Sequence, residues 1–205
     1  MQGSVERELS HQAPVNCAKY TQDGAYLVTG SGVSVRLFSP GGLVKEYREH
    51  GNAVLDVCLP TSKTDSNRFG SCAADRNVFL WDVVTGAVLR RFQFHSARVN
   101  TVDFNRDATL IVSGSYDSDV MLWDCRAAGR KPVQTLTDAK DSVESVVVSG
   151  TEIISGYFPL IQISRWVHSL LRYTNRLAHH RHRRGSNREH QAFQRQELHT
   201  FNNFR

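Results

Sequence analysis

The chain has 205 residues, of which 40% are hydrophobic and 22% charged, a balance that excludes a wholly disordered polypeptide and allows an enclosed core. Its net charge of +5 is an uneven average, because residues 1–156 carry 16 Lys/Arg against 18 Asp/Glu while residues 157–205 carry 9 Arg, no Lys and 2 Glu. The first residues lack the basic-then-apolar pattern of a secretory leader, and no run approaches the ~18 apolar residues of a membrane span, so a cytoplasmic or nuclear protein is expected.

After a short lead-in (residues 1–10), the segments PVNCAKY, LVTGS, VSVRLF and LVKEY follow one another between Pro14 and Tyr47. Each alternates apolar and polar residues in the manner of a half-buried strand, and Asp23-Gly24, Gly32 and Pro40-Gly41-Gly42 mark the reversals between them. A second set begins at Ala53 with AVLDVCL, FGSCA, NVFLWD and AVLRRF, with turn signals at Asp75 and Thr85-Gly86. A third runs from Arg98 through RVNTVDF, IVSGS, DVMLWD and PVQTL, with turns at Asn105-Arg106-Asp107, Asp117 and Ala128-Gly129. A fourth opens with SVESVVV and IISGY, then loses the pattern near Gly156.

These sets are repeats. Thr29, Ser71, Ser113 and Ser155 occupy the same place in LVTGS, FGSCA, IVSGS and IISGY, and each is 42 residues from the next. Four short antiparallel strands in 42 residues make one blade of a β-propeller, a sheet that must stack on its neighbours to hide its faces. The expected architecture is therefore all-β: an incomplete arc of about three and a half four-stranded blades over residues 11–156.

The paired Trp81-Asp82 and Trp123-Asp124, an upstream histidine and the 42-residue step resemble the WD-repeat family. That resemblance implies a seven-bladed ring and, in each well-kept unit, a hydrogen-bonded chain of His, Ser/Thr, Asp and Trp. It assigns His50, Ser71, Asp75 and Trp81 to the second unit, and His95, Ser113, Asp117 and Trp123 to the third. A buried indole N–H needs an acceptor and a carboxylate fixes an imidazole tautomer, so the residue types suit the role. The first unit has Phe38 in the Trp position and no Asp in its turn, while the fourth has Asp138, Ala139 and Lys140 around the His position.

His95, Asp117 and Ser115 also have the residue types of a charge relay. A set that recurs from blade to blade maintains the fold, whereas a reactive centre occurs once, so no catalytic residue is assigned. No phosphate loop, metal set or cofactor motif is evident. Cys17, Cys58, Cys72 and Cys125 form no CxxC pair and read as small buried hydrophobes.

The function expected is that of a non-enzymatic scaffold whose loops contact protein partners. Asn52, Arg76, Arg98, Tyr116 and Asp119 lie in those loops and are the candidate contact residues. Within the family the resemblance implies partners among kinase-cascade components and the spliceosome. The alternatives are a nucleic-acid-associated protein using its basic tail, and an aberrant product with uncovered blade edges and no stable function.

Residues 157–205 form that tail. Ser164 caps a helix expected over about 164–178, with Trp166, Leu170, Tyr173 and Leu177 along one stripe, and the basic run His179–Arg188 follows. The other account of the break in composition is a divergent gene model, an alternative exon or a shifted reading frame.

Overall fold

The computed structural model describes residues 10–61, 67–127 and 129–165, and every described element is a strand or a turn. Three consecutive four-stranded antiparallel sheets each run in simple sequence order. The first contains β1 (Val15–Tyr20), β2 (Leu27–Ser31), β3 (Ser34–Ser39) and β4 (Gly42–Tyr47). The second contains β5 (Val54–Cys58), β6 (Arg68–Ala73), β7 (Val78–Asp82) and β8 (Val88–Phe92). The third contains β9 (Val99–Phe104), β10 (Leu110–Ser115), β11 (Val120–Asp124) and β12 (Gln134–Leu136). A fourth sheet has three strands, β13 (Val143–Ser149), β14 (Glu152–Tyr157) and β15 (Leu160–Arg165).

Alternation of side chains builds the cores between sheets. On β7, Phe79 and Trp81 join Val28, Val35, Leu37 and Tyr47 of the first sheet in one cluster, whereas Val78 and Leu80 join Val102, Ile111, Met121 and Trp123 of the third in another. Both faces of the second sheet are thus covered, which is why β7 is apolar almost throughout. The Tyr47 ring meets Phe69 and Trp81 edge-on, and its hydroxyl donates to the Val83 carbonyl at 3.0 Å, joining the outer strand of the first blade to the second. Cys58, Cys72 and Cys125 fill gaps in the second cluster as small apolar groups.

Neighbouring sheets approach closely over small residues. A Cβ built on Gly30 would stand 2.7 Å from Val54 of the next sheet, and one built on Gly114 would stand 2.5 Å from Val143 and 2.7 Å from Val146. Glycine is required there because the neighbouring valines occupy the space of its side chain. At the β2–β3 hairpin Gly32, with φ +52°, begins the two-residue link between Ser31 and Ser34, the position where a left-handed residue suits the strand twist.

The tail boundary expected at Gly156 is corrected. β15 pairs along the whole of β14, from Tyr157 opposite Leu160 to Glu152 opposite Arg165, so the fourth blade continues to Arg165, with three strands among the described residues. The segment LIQIS has the period-2 alternation of a strand, but without an Asp turn or a Trp-Asp pair it was masked by the change in composition. Ser164, read as a helix cap, lies within β15. The remainder of the expected helix, with Trp166, Leu170, Tyr173 and Leu177, and the basic run His179–Arg188 fall outside the described residues.

Candidate functional site

The site residues lie at one edge of the sheets, where the segment entering each first strand meets the turn between the second and third strands. In the second blade, His50 leads into β5 and Asp75 lies in the turn after β6. Asp75 Oδ2 is 3.0 Å from His50 Nδ1, His50 Nε2 is 2.7 Å from Ser71 Oγ, and Trp81 Nε1 donates to that same oxygen at 2.8 Å. The third blade repeats the arrangement: Asp117 Oδ2 is 3.0 Å from His95 Nδ1, His95 Nε2 is 2.7 Å from Ser113 Oγ, and Trp123 Nε1 donates to Ser113 Oγ at 2.8 Å.

Each carboxylate also gathers backbone donors. The N–H groups of Gly51 and Asn77 reach Asp75 at 2.8 and 3.0 Å, and those of Ser96 and Asp119 reach Asp117 at 2.8 and 3.1 Å. The aspartate therefore folds its own turn and pins the strand-entry segment to it. Burial by itself would raise the Asp117 pKa, but hydrogen bonding and charge from His95, with the Ser96 and Asp119 N–H groups, hold it well below the ordinary aspartate value. Asp75 is lowered against the same opposing burial, through His50, Asn77 and Gly51.

The serine hydroxyls in these chains are not poised as nucleophiles. Ser71 and Ser113 are fully buried and each receives an indole N–H, so a substrate has no approach to the oxygen. Ser115, the serine of the apparent charge relay, donates to the Arg98 carbonyl at 2.7 Å and takes no part in the His95 contact.

The first blade contains a weaker version that inspection of its Trp and Asp positions missed. His11 Nε2 is 3.4 Å from Thr29 Oγ1, and its ring meets Phe38 edge-on. The signal was present in the spacing: His11 precedes Thr29 by 18 residues, as His95 precedes Ser113. Burial and then the Arg36 charge both lower the His11 pKa, so the neutral ring is favoured in a blade that has no turn aspartate.

Over these hydrogen-bonded chains lie the candidate contact residues. The Arg98 guanidinium stands 4.7 Å from the centre of the Tyr116 ring, and the Tyr116 N–H donates to the Arg98 carbonyl at 3.0 Å. In the second blade the Ala74 N–H donates to the Ala53 carbonyl at 2.8 Å in the equivalent place, which sets Asn52 and Arg76 on the corresponding loops. Asn52, Arg76, Arg98 and Tyr116 are exposed, Tyr116 to 56%. Asp119 is partly buried and its backbone serves the Asp117 turn, so it is the least available of the five. Its pKa is raised by burial and then by the neighbouring Asp117 charge.

A cleft of about 640 Å³ between the first and second blades, bordered by Tyr26, Val44, Lys45, Tyr47, Leu59 and Arg68, was not anticipated. Its walls come from sequence segments that only blade stacking brings together. No described helix is long and apolar enough to cross a membrane.

The repeat architecture agrees with the family comparison. Residues 3–39, 41–82 and 86–124 match the WD domain, G-beta repeat, so the chain belongs to the WD-repeat family, whose members are generally non-enzymatic interaction scaffolds. It is 38% identical to a WD repeat domain-containing protein 83 homolog of Dictyostelium discoideum over 68% of this chain and 43% of that protein. It is 28% identical to the guanine nucleotide-binding protein subunit beta of Saccharomyces cerevisiae over 57% of this chain and 29% of that protein. With the mouse F-box-like/WD repeat-containing protein TBL1X it shares 27% identity over 68% of this chain and 27% of that protein. The chain thus spans less than half the length of these relatives.

Proposed function

We propose that this chain is a non-enzymatic scaffold whose strand-entry and turn loops present a rigid contact surface to protein partners. The observation that carries the proposal is the exposed Arg98–Tyr116 pair above a buried polar chain that fixes both loops. Arginine and tyrosine supply contact area with little side-chain ordering once preorganised, and such residues dominate interface energetics. Asn52 and Arg76 extend the surface onto the neighbouring blade.

Kinase-cascade or spliceosomal components are the partner classes we propose, on the support of the resemblance to the WD repeat domain-containing protein 83 homolog, and a cytoplasmic or nuclear location, or both, is proposed with them. Affinity purification with quantitative mass spectrometry tests the proposal, comparing the wild-type chain with Arg98→Ala and Tyr116→Ala at matched expression and melting temperature. Loss of a reproducible set of protein partners in both variants is expected. An unchanged set would remove these loops from the contact surface, whereas partners released by nuclease or modest salt would favour nucleic-acid association.

A further inference from the structure

We propose that a second copy of this chain docks head-to-tail, with Val15 of one copy seated over Gly156 of the other.

The internal blade contacts provide the pattern. In every junction the first strand of one blade lies against the first two strands of the blade before it. Register places Val15, Val54, Val99 and Val143 at equivalent positions, opposite Ser31, Ala73, Ser115 and Tyr157. Val54, Val99 and Val143 are completely buried. Three residues on, Val57, Val102 and Val146 are buried with them.

The receiving positions are equally regular. Val54 closes over Gly30, while Val143 and Val146 close over Gly114. Cys72, at the equivalent position of the second blade, belongs to the same buried cluster as Val99 and Val102.

Among the described residues, one inserting pair and one receiving position have no counterpart. Val15 is 46% exposed and Ala18, equivalent to Val57, is exposed as well. Gly156 is the next member of the 42-residue series after Gly30, Cys72 and Gly114, and among the described residues a Cβ built there meets nothing nearer than Ser145 at 3.7 Å. Around it, Val147, Ile161 and Ile163 are exposed, and pairing places Val147 opposite Ile154 and Ile154 opposite Ile163 on the same outward face.

The free inserting strand and the free receiving face therefore have the same relation as the two sides of an existing junction. Because the two surfaces differ, one contact leaves an unused surface at each end, and two copies satisfy both ends only by closing on each other. Two sets of four blades make eight, within the usual range of about four to eight for closed propellers.

The test uses the 205-residue chain in light scattering coupled to size exclusion and in sedimentation equilibrium. The wild-type chain is expected at twice the monomer mass. Gly156→Leu, whose Cβ meets Ser145 only at ordinary contact distance, and Val15→Asp, at an exposed position, are each expected at monomer mass with an unchanged circular dichroism spectrum. Val44→Asp, on the outer strand of the first blade, should remain dimeric. Mixing Gly156→Leu with Val15→Asp should restore a weaker dimer, because each variant retains the surface that its partner lacks. A wild-type monomer, an open series of larger assemblies, a dimer insensitive to Gly156→Leu, or failure of the mixture to associate would each overturn the proposal.

Discussion

Trp123 and His95 meet on one oxygen: the indole N–H donates to Ser113 Oγ at 2.8 Å while His95 Nε2 lies 2.7 Å from the same atom. Ser113 is fully buried, so removing its hydroxyl leaves two polar nitrogens without water to replace it. Ser113→Ala should lower stability by about 2 kcal/mol or more in urea titration, given the cost of unsatisfied buried groups. Thr29→Ala should cost clearly less, because His11 is 3.4 Å away and Phe38 has no N–H to satisfy. Equal losses for the two variants would show that the hydroxyls act through packing alone.

Acid should unfasten the loops. Asp117 and Asp75 have folded pKa values below the ordinary 3.8, so their contribution is full above that value and declines as pH falls through the folded range. Melting temperature should therefore fall as pH is taken below about 4, and Asp117→Asn should flatten that dependence while lowering stability at neutral pH. An identical acid profile in wild type and variant would assign the transition to other groups.

Two glycines 42 residues apart should respond differently to the same change. Gly114→Ala forces a methyl group toward Val143 and Val146 and should cost about 1–3 kcal/mol, the usual range for overpacking. Gly156→Ala meets only Ser145 at ordinary contact distance and should leave the unfolding midpoint of the separated chain nearly unchanged. Comparable destabilisation would mean that the fourth blade is already covered.

The cysteines should be slow toward a thiol reagent in the native protein. Burial raises the Cys58 and Cys72 thiols well above their ordinary value; burial, followed by the Asp56 charge, raises Cys17 to about 12. Labelling should accelerate sharply in denaturant. Fast reaction of Cys58 or Cys72 under native conditions would contradict their place in the core.

Tyr116 should matter little to folding. Its ring is more than half exposed and stacks beneath a solvent-facing guanidinium, a contact worth about 0.5–1 kcal/mol at such sites. Tyr116→Ala should therefore shift the urea midpoint slightly while reducing partner recovery strongly. A stability loss as large as that of Ser113→Ala would make the ring part of the core.

Much was legible along the chain because strands, turns and repeats are local properties. Period-2 alternation and the 42-residue interval defined the first three blades, and the residue types of Ser71, Ser113, Trp81 and Trp123 carried the family resemblance. The ninth to eleventh residues and the region after Gly156 were harder. His11 was overlooked because its blade lacks both Asp and Trp, and β15 because an abrupt arginine-rich composition hid a short alternating strand.

What the linear order determined was a set of equivalent sheets, since strand periodicity and turn chemistry act between near neighbours. Only the tertiary structure decided which equivalent residues are used. Val54 and Val143 vanish into the preceding blade while Val15 remains open, and Gly114 is filled while Gly156 is not. The reason is physical: burial belongs to a pair of surfaces, and a residue's sequence cannot report whether the opposing surface is present.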